Sequence, residues 1–461
     1  MSLTADFTAT LLGLAEAGLD DTARQAAKSL VLDGLAVAAL GAGERGPSIL
    51  AEIATEQPMP AGAGLIGRPK RVSPADAARI NGAAMHVLDF EPMWNPANHS
   101  LSTVLPALLA LADAGVSAPA PLLGERVLTG LAIGIEAQER LRLSSGQFEP
   151  GELVFHPPGA VGPIGSAAAC AWLLGLDPGR TQQALAIAAS RAGGVQANIG
   201  SMTKALHCGQ SAASGLESAM LAARGFTADA DAIGSPRGYG RAFFGDGFDP
   251  AALTRAHEAL QIVRPGPAYK LYPSQYGTHF VITAALAARA QLPPGAAIRH
   301  ATIHSPPMDY VDRPQPASGL AGKFSFQYTA AIALLDGAVT VASFTDERRF
   351  APDLVDLIAR IRIMPDPARR GRFDVMTLDI DVDHDGGTVR GTCDGPPGIW
   401  GKPVAPERIR AKAVDCLTEA LGTQAALQIV AICERFETLD RDGLAQLMTL
   451  LAGARREARA A

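Results

Sequence analysis

The chain has 461 residues, of which 48% are hydrophobic, 19% charged and 5% aromatic. This length exceeds what one hydrophobic core usually spans, and the composition excludes a disordered protein, so we expect a folded chain of two domains. The net charge of −6 excludes an overall field that would attract nucleic acid or an anionic membrane, so a few local cations must hold any anionic ligand.

The cysteines and the apolar segments indicate the compartment. Five cysteines occur without a C-x-x-C pair, which favours a reducing compartment over a disulfide framework or a zinc or iron–sulfur site. The N-terminus lacks the basic region and apolar run of a secretory signal. The most apolar window, 160–176, contains Pro163 and is slightly short for a membrane span, so we predict a buried helix there. We expect a cytoplasmic protein.

Helical patterns dominate the first 265 residues. Ser73, Pro74 and Asp76 supply an N-cap, a first-turn proline and an acidic third position for one helix. The other predicted helices are rich in alanine and apolar on nearly all sides, which is typical of helices packed against helices. They cover 22–40, 126–143, 165–174, 181–192 and 204–224.

The composition changes around 265–273. A helix over 278–291 is followed by β-rich stretches at 298–304 and 360–364. Leu378, Ile380 and Val382 alternate with aspartates, and an Asp-Gly-Gly turn leads into 388–392, so we predict a hairpin with one buried face. Helical periodicity returns over 406–421 and 444–451.

These elements predict a mainly α fold. A large all-helical domain covers 1–266, a smaller α+β lid domain of ordinary size covers 267–400, and the C-terminal helices of 401–461 complete the helical domain.

Two motifs are better explained without a ligand. Residues 41–46 match G-x-G-x-x-G, but a helix precedes them rather than a strand, so a helix C-cap and turn is the better interpretation. His300 and His304 lie on a predicted strand, about 13 Å apart at ~3.3 Å per residue. With no third ligand nearby, we predict no metal site there.

Three polar segments could carry chemistry. In 86–99 a helix ends in a proline-broken loop holding Asp89, Glu91 and His99, the kind of loop in which catalytic groups concentrate. A plain turn with a surface histidine is the alternative. In 155–159 a stiff loop fixes His156 just before a buried helix.

The third segment is 201–209. Lys204 and His207 share one face if a helix begins near Thr203. A lysine at a helix start is poorly placed for the helix dipole, so a nearby anion would explain it better than solvent would. A lysine whose stem lies along an apolar surface is the alternative.

Together, five ordered segments resemble the MmgE/PrpD family over the whole chain. This family includes 2-methylcitrate dehydratase, cis-aconitate decarboxylase and iminodisuccinate epimerase. The segments are NGAAMHVLDF (81–90) with PANHS (96–100), FHPPGAVGPIGSAAA (155–169), SMTKALHCGQSAASGLESAMLAARGFTAD (201–229), KLYPSQYGTH (270–279) and KFSFQYTAAIALLDG (323–337). The resemblance implies a helical domain with an α+β lid, a homodimer, and chemistry next to a carboxylate of a di- or tricarboxylic acid without a metal or organic cofactor.

The resemblance also implies the site residues. Asp89, His99, His156 and Lys204 fall on family motif positions expected to be catalytic. A second set is expected to bind the substrate: Met93, His207, Lys270, Tyr272, His279 and Tyr328. Where the family usually reads D-F-D-D-T, residues 89–93 read D-F-E-P-M, so a carboxylate position and a hydroxyl are lost. This departure weighs against an ordinary methylcitrate substrate.

The chemistry of such a substrate sets the requirements of the site. Proton removal next to a carboxylate creates an enediolate-like dianion, which needs positive charge and a base matched to neutral pH. His99 or His156 could be that base with Asp89 orienting it, and the opposite histidine or Tyr328 could be the acid.

Loss of hydroxide, loss of carbon dioxide and reprotonation from the other face share this intermediate. The sequence therefore leaves several functions open. A dehydratase-type lyase acting without a cofactor on a polycarboxylate is preferred. An epimerase of an imino- or amino-dicarboxylate, a decarboxylase and a non-catalytic binder are the alternatives.

Overall fold

The computed structural model describes residues 2–116, 122–149, 151 and 153–453. Helices dominate it, so the mainly α prediction is confirmed. The helices are α1 (Leu3–Ala17), α2 (Asp21–Gly41), α3 (Arg45–Ala54), α4 (Pro74–His86), α5 (Leu101–Asp113), α6 (Leu123–Ser144), α7 (Pro157–Leu174), α8 (Pro178–Ala189), α9 (Thr203–Ala223), α10 (Tyr239–Phe244), α11 (Tyr276–Arg289), α12 (Gly319–Gly322), α13 (Phe326–Asp336), α14 (Asp346–Arg349), α15 (Pro352–Ile358), α16 (Pro406–Leu421), α17 (Thr423–Cys433) and α18 (Arg441–Leu451). The strands are β1 (Ala63–Leu65), β2 (Arg68–Val72), β3 (Ile298–Ser305), β4 (Ile361–Pro365), β5 (Leu378–His384) and β6 (Gly387–Cys393).

A first hydrophobic cluster is built from helices. It draws its buried residues from 7–262 and 413–451. α9 packs against both α4 and α7 within it. The α4–α9 contact depends on glycine, because a Cβ at Gly209 would lie 2.0 Å from the Arg79 carbonyl oxygen and a Cβ at Gly82 would lie 2.9 Å from Gly209 Cα. The two helices therefore approach closely just where the chain leaves α4 and enters α9.

A second hydrophobic cluster combines Met93 with residues from 268–399. Its sheet has the order β4-β3-β5-β6, in which β3 pairs with β4 in parallel and with β5 antiparallel. α11 packs against β5 and β6, and α13 packs against α11. Alternate residues of β5 are buried, so the predicted hairpin with one buried face is confirmed.

The structure corrects the expected elements in several places. β1 and β2 form an antiparallel pair inside the segment that we expected to be all helical. These strands have three and five residues, too short to produce a clear alternation. The helices α5, α13 and α17 lie outside the individual helical stretches that were predicted, although α5 and α17 fall within the segments expected to be helical.

One observation concerns membranes. Within the described residues, no single helix combines the length and apolar character needed to cross a bilayer, and α2 with α3 meets that test only as a pair bent by 83°.

Candidate active site

The loop after α4 connects the two clusters. Asp89 adopts a φ of 52° and is the residue other than glycine with positive φ in the described chain, a conformation uncommon for an L-amino acid. Further along, the Met93 N–H donates to the Ala268 carbonyl at 3.1 Å, and the Ala268 N–H donates back at 2.7 Å. The loop thus runs from the end of α4 into the second cluster, and Asp89 is buried on the way.

Asp89 lies between two lysines. Lys204, in the first turn of α9, places Nζ 2.5 Å from Asp89 Oδ2, and Lys270 Nζ contacts Oδ1. Burial by itself would raise the pKa of Asp89, but the two ammonium groups outweigh burial and hold this pKa well below its usual value. Asp89 is therefore a carboxylate at neutral pH, held between the two lysine side chains.

Glu91 lies between two histidines. His86 Nδ1 hydrogen-bonds to Glu91 Oε1, His99 Nδ1 lies 3.3 Å from the same oxygen, and the Ser102 hydroxyl donates to it at 3.2 Å. Burial opposes ionisation of Glu91, but His86 and His99 hold its pKa well below the usual value. The carboxylate also lies against the His99 ring, although His99 Nδ1 makes no hydrogen bond in the described chain.

His86, Glu91 and His99 also form the one group in the described chain that could hold a metal ion. Their donor atoms lie within 4.8 Å of one another, and two histidines with a carboxylate are a donor set that zinc accepts. His86 and Ser102 already occupy one Glu91 oxygen, whereas Glu91 Oε2, His86 Nε2 and His99 Nδ1 are buried without a hydrogen-bond partner in the described chain.

His156 connects the buried site to a more exposed residue. His156 Nδ1 lies 3.2 Å from His207 Nδ1, and His207 is only partly buried. Burial lowers the pKa of His156 well below its usual value, with Lys204 adding to the effect. Burial likewise lowers the pKa of His207 to about 4 and that of His99 to about 3. All three rings are neutral at pH 7 while the site is empty.

The predicted catalytic residues line one cavity. Its empty space, which includes the solvent at its open mouth, is about 520 Å³. Asp89, His99, His156 and Lys204 all line it. The sequence analysis missed most of the remaining wall: Ala97, Asn98, Leu153, Pro157, Pro158, Gln196, Ile199, Gln275, Tyr276, Tyr310 and Phe373. For six of these residues a signal was present. Ala97 and Asn98 fall inside PANHS, Pro157 and Pro158 inside FHPPGAVGPIGSAAA, and Gln275 and Tyr276 inside KLYPSQYGTH.

Of the six predicted binding residues, Met93 lines this cavity. Lys270 lies behind Asp89 and His207 lies behind His156. His279 stacks on Tyr276 with ring centroids 4.8 Å apart, and the Tyr272 ring lies 5.1 Å from His279. These residues support the wall from behind rather than forming its surface.

Tyr328 requires a correction. Its hydroxyl donates to the Ser343 carbonyl at 2.6 Å, and its ring centroid lies 5.8 Å from that of Phe344. The expectation that Tyr328 faces the cleft, where it could act as an acid, therefore does not fit, because its proton is already committed within the second cluster.

The site is of the acid–base type, with an ionised carboxylate, lysine ammonium groups and neutral histidines around a small open cavity. The model of the MmgE/PrpD N-terminal domain matches residues 5–251, and that of the C-terminal domain matches 272–438. The chain belongs to the MmgE/PrpD family.

Its relatives include cis-aconitate decarboxylases. The mouse protein of that name is 32% identical over 449 residues, covering 95% of this chain and 91% of the relative. The human protein is 32% identical over 461 residues, covering 98% and 95%. A cis-aconitate decarboxylase of Aspergillus terreus is 26% identical over 422 residues, covering 84% and 83%.

Proposed function

We propose that this protein is a lyase that decarboxylates cis-aconitate or a closely similar unsaturated tricarboxylate by side-chain acid–base chemistry. The observation that carries the proposal is the meeting of Asp89, His99, His156 and Lys204 around one cavity. Relatives named cis-aconitate decarboxylase that match 95% and 98% of the chain support the substrate.

The cavity wall favours decarboxylation over the dehydration that the sequence analysis preferred. A departing hydroxide needs a proton donor or a hydrogen-bonding group beside it. Pro92 and Met93 occupy two positions where many family members have polar side chains, and Met93 lies in the cavity wall. Carbon dioxide leaves without such a donor, so an apolar side chain there is compatible with its departure.

The reaction consumes one proton. The bond between the CH₂ carbon of cis-aconitate and its carboxylate breaks, and its electron pair forms a new double bond to the central carbon. The former double-bond pair moves to the CH carbon, giving an enediolate stabilised by the carboxylate on that carbon. Protonation of this carbon yields methylidenesuccinate and carbon dioxide. Since no base is needed, the site must supply a cation for the enediolate and one acid.

The side chains divide these roles. Lys204 is the cation in the cavity wall, and Asp89 holds its ammonium group in place. His156 is the proposed acid because His207, which is partly exposed, can return a proton to it from solvent. His99, which lies beside Glu91, binds a substrate carboxylate. Bound negative charge raises the pKa values of both cavity histidines, so the acid becomes charged when the substrate arrives.

Product analysis in deuterium oxide tests this function. We expect carbon dioxide release from cis-aconitate and a product with a single deuterium on the CH₂ next to its carboxylate. Lys204→Met should abolish this reaction, whereas Lys402→Met, which removes a lysine paired with Asp394 at the surface, should not. The proposal uses no metal ion, so prior treatment with a chelator should leave the rate unchanged.

Other outcomes would assign a different function. Water loss from 2-methylcitrate without turnover of cis-aconitate would establish the dehydratase. Deuterium exchange into an amino- or imino-dicarboxylate without a net product would establish the epimerase.

Three further predictions accompany this function. We propose that residues 267–400 act as a lid domain, that the protein is a homodimer and that it works in the cytoplasm. Light scattering on the purified chain tests the dimer, and fractionation of cells tests the location.

A further inference from the structure

Three buried lysines donate to three consecutive backbone carbonyl groups of the loop after α4. The distances from Nζ to oxygen are 2.9 Å for Lys323 and Leu88, 3.0 Å for Lys270 and Asp89, and 2.7 Å for Lys412 and Phe90. An ammonium group makes a strong hydrogen bond to a carbonyl when water is excluded. The backbone on both sides of the Asp89 side chain is therefore fixed by charged donors.

These lysines come from different parts of the fold. Lys270 precedes α11, Lys323 directly follows α12, and Lys412 lies on α16. The side chain of Lys412 is 8% exposed, and the other two lysines are buried. The loop is thus held from the side of the second cluster and from the C-terminal helices at once.

The backbone of Asp89 is the feature that needs such support. A φ of 52° is strained for a residue with a side chain, and such a conformation persists only when its surroundings hold it. The Leu88 and Asp89 carbonyls belong to the two peptide groups that flank the Asp89 Cα, so Lys323 and Lys270 limit rotation of these groups. Lys412 holds the next peptide group through the Phe90 carbonyl. Without these contacts, the backbone of Asp89 would leave its positive φ, and the carboxylate would lose its contact with Lys204.

Lys412 makes two further contacts. It forms an ion pair with the buried Asp33 of α2 at 2.9 Å, and its Nζ lies 3.9 Å from the centroid of the Phe90 ring. Neither Lys412 nor Asp33 lines the cavity.

Lys323 differs in having no acidic partner. Among the described residues, no carboxylate oxygen lies within 4.0 Å of its Nζ. Its hydrogen bond to Leu88 is therefore its principal polar contact.

We propose that Lys323 and Lys412 are positioning residues which, together with Lys270, hold the backbone of residues 88–90 so that Asp89 keeps Lys204 in the cavity. This inference rests on the proposed function in giving Lys204 and Asp89 their roles. It extends the active site to two lysines that touch no substrate, one of them on a helix of the C-terminal segment.

The double variant Asp33→Asn/Lys412→Met separates positioning from stability. Removing both charges leaves no unpaired buried ion, so a merely structural ion pair would be replaced with little loss of activity. Positioning instead predicts a fall in kcat of about tenfold or more, with KM changed less than about threefold, because a small misplacement of a reacting group is costly. The matched control is Lys28→Met/Glu437→Gln, which removes another ion pair of α2, 2.9 Å long, and should leave both constants unchanged.

Lys323→Met provides a second test that needs no compensating change. It should lower kcat in the same way while KM is retained. Wild-type kcat per folded molecule in either variant would overturn the proposal. If the double variant folds poorly, the kcat of Lys323→Met alone decides.

A crystal structure of each variant keeps this test independent of the reaction. The proposal predicts that Asp89 leaves its positive φ and that its contact with Lys204 is lost. If wild-type protein does not decarboxylate cis-aconitate, the proposed function fails, but these structures still decide on the lysines. An unchanged Asp89 in both variants would overturn the proposal whatever the reaction is.

Discussion

Burial sets the protonation state of the histidines around the cavity. Burial of His99 lowers its pKa to about 3, and burial of His156 likewise lowers its pKa well below the usual value. Both rings are neutral and cannot donate a proton to carbon while the cavity is empty. A polycarboxylate brings negative charge against them, which favours the imidazolium form. Binding of the substrate therefore also protonates a cavity histidine, which can then act as the acid.

Proton uptake on binding follows from this coupling. We expect a tricarboxylate that cannot react to take up about one proton when it binds at pH 7, because a neutral histidine becomes charged. Calorimetric titrations in buffers of different ionisation enthalpy measure this number directly. His156→Gln should reduce the uptake, and an uptake of zero in the wild-type protein would contradict the role given to the histidines.

His207 gives a second prediction because it lies between solvent and His156. Each turnover consumes a proton, so His207→Gln should lower kcat by about tenfold, a modest loss for one proton-transfer group. In His207→Ala, added imidazole should restore part of the rate, since a small acid can enter the space that the histidine side chain vacates. A loss of rate that imidazole does not reverse would point to a packing role for His207.

The contact between α4 and α9 sets the distance between Asp89 and Lys204. α4 leads into the loop of Asp89, and α9 carries Lys204 in its first turn. Gly209→Ala places a methyl group against the Arg79 carbonyl, and backbone cannot move aside as a side chain can.

We expect this substitution to cost about 1–3 kcal/mol of stability and to lower kcat as the helices separate. Gly13→Ala in α1 is the control, because a Cβ there meets nothing within 4 Å, and alanine should add about 0.5–1 kcal/mol. Thermal unfolding and turnover of the two variants measure both effects. Equal behaviour of the two would show that the close approach of α4 and α9 is unimportant.

Local sequence patterns predicted the elements that carry their own signals. The start of α9 at Thr203 was predicted correctly, and so was the cap of α4, where the Asp76 N–H donates to the Ser73 hydroxyl at 3.1 Å. The pair of β1 and β2 escaped prediction because strands this short show no period. A resemblance to family motifs brought Asp89, His99, His156 and Lys204 together, and periodicity alone could not have done so.

The residues that sequence reasoning missed share one property. Lys412 lies on α16 among exposed residues, and no local pattern separates a lysine that reaches a buried carbonyl from one that reaches water. Glu91 was noted as one carboxylate of a polar loop, but its position between His86 and His99 depends on how α4 ends. Tyr328 was instead predicted to face the cleft although it does not line the cavity. A family motif does not reveal that its hydroxyl donates to the Ser343 carbonyl.

The two hydrophobic clusters meet at the loop of residues 87–99, so the active site depends on both. Each cluster also contributes histidines that are neutral in the folded protein. The partly exposed His99 and the buried His156 lie beside the first cluster, and the buried His279 lies within α11 of the second. Burial, with the nearby charge of Lys270, lowers the pKa of His279 to about 3. In the unfolded chain the same side chain titrates near 6.5.

This difference makes the folded protein sensitive to acid. Between about pH 6.5 and pH 3 the unfolded state binds protons that the folded state does not, so stability is complete above pH 6.5 and is lost as the pH falls. Each such histidine contributes a loss of up to about 1.4 kcal/mol per pH unit in that window. The buried histidines act together on one folded molecule, and the melting temperature should therefore fall steeply below pH 6.5.

His279→Gln tests this account without touching the cavity wall. The variant should lose less stability than the wild-type protein between pH 7.5 and pH 5.5, with a difference of about 1.4 kcal/mol at the lower pH. The comparison is made within each variant, so a constant cost of removing the ring cancels. Parallel melting curves for wild type and His279→Gln at both pH values would show that burial of this ring does not oppose its charging.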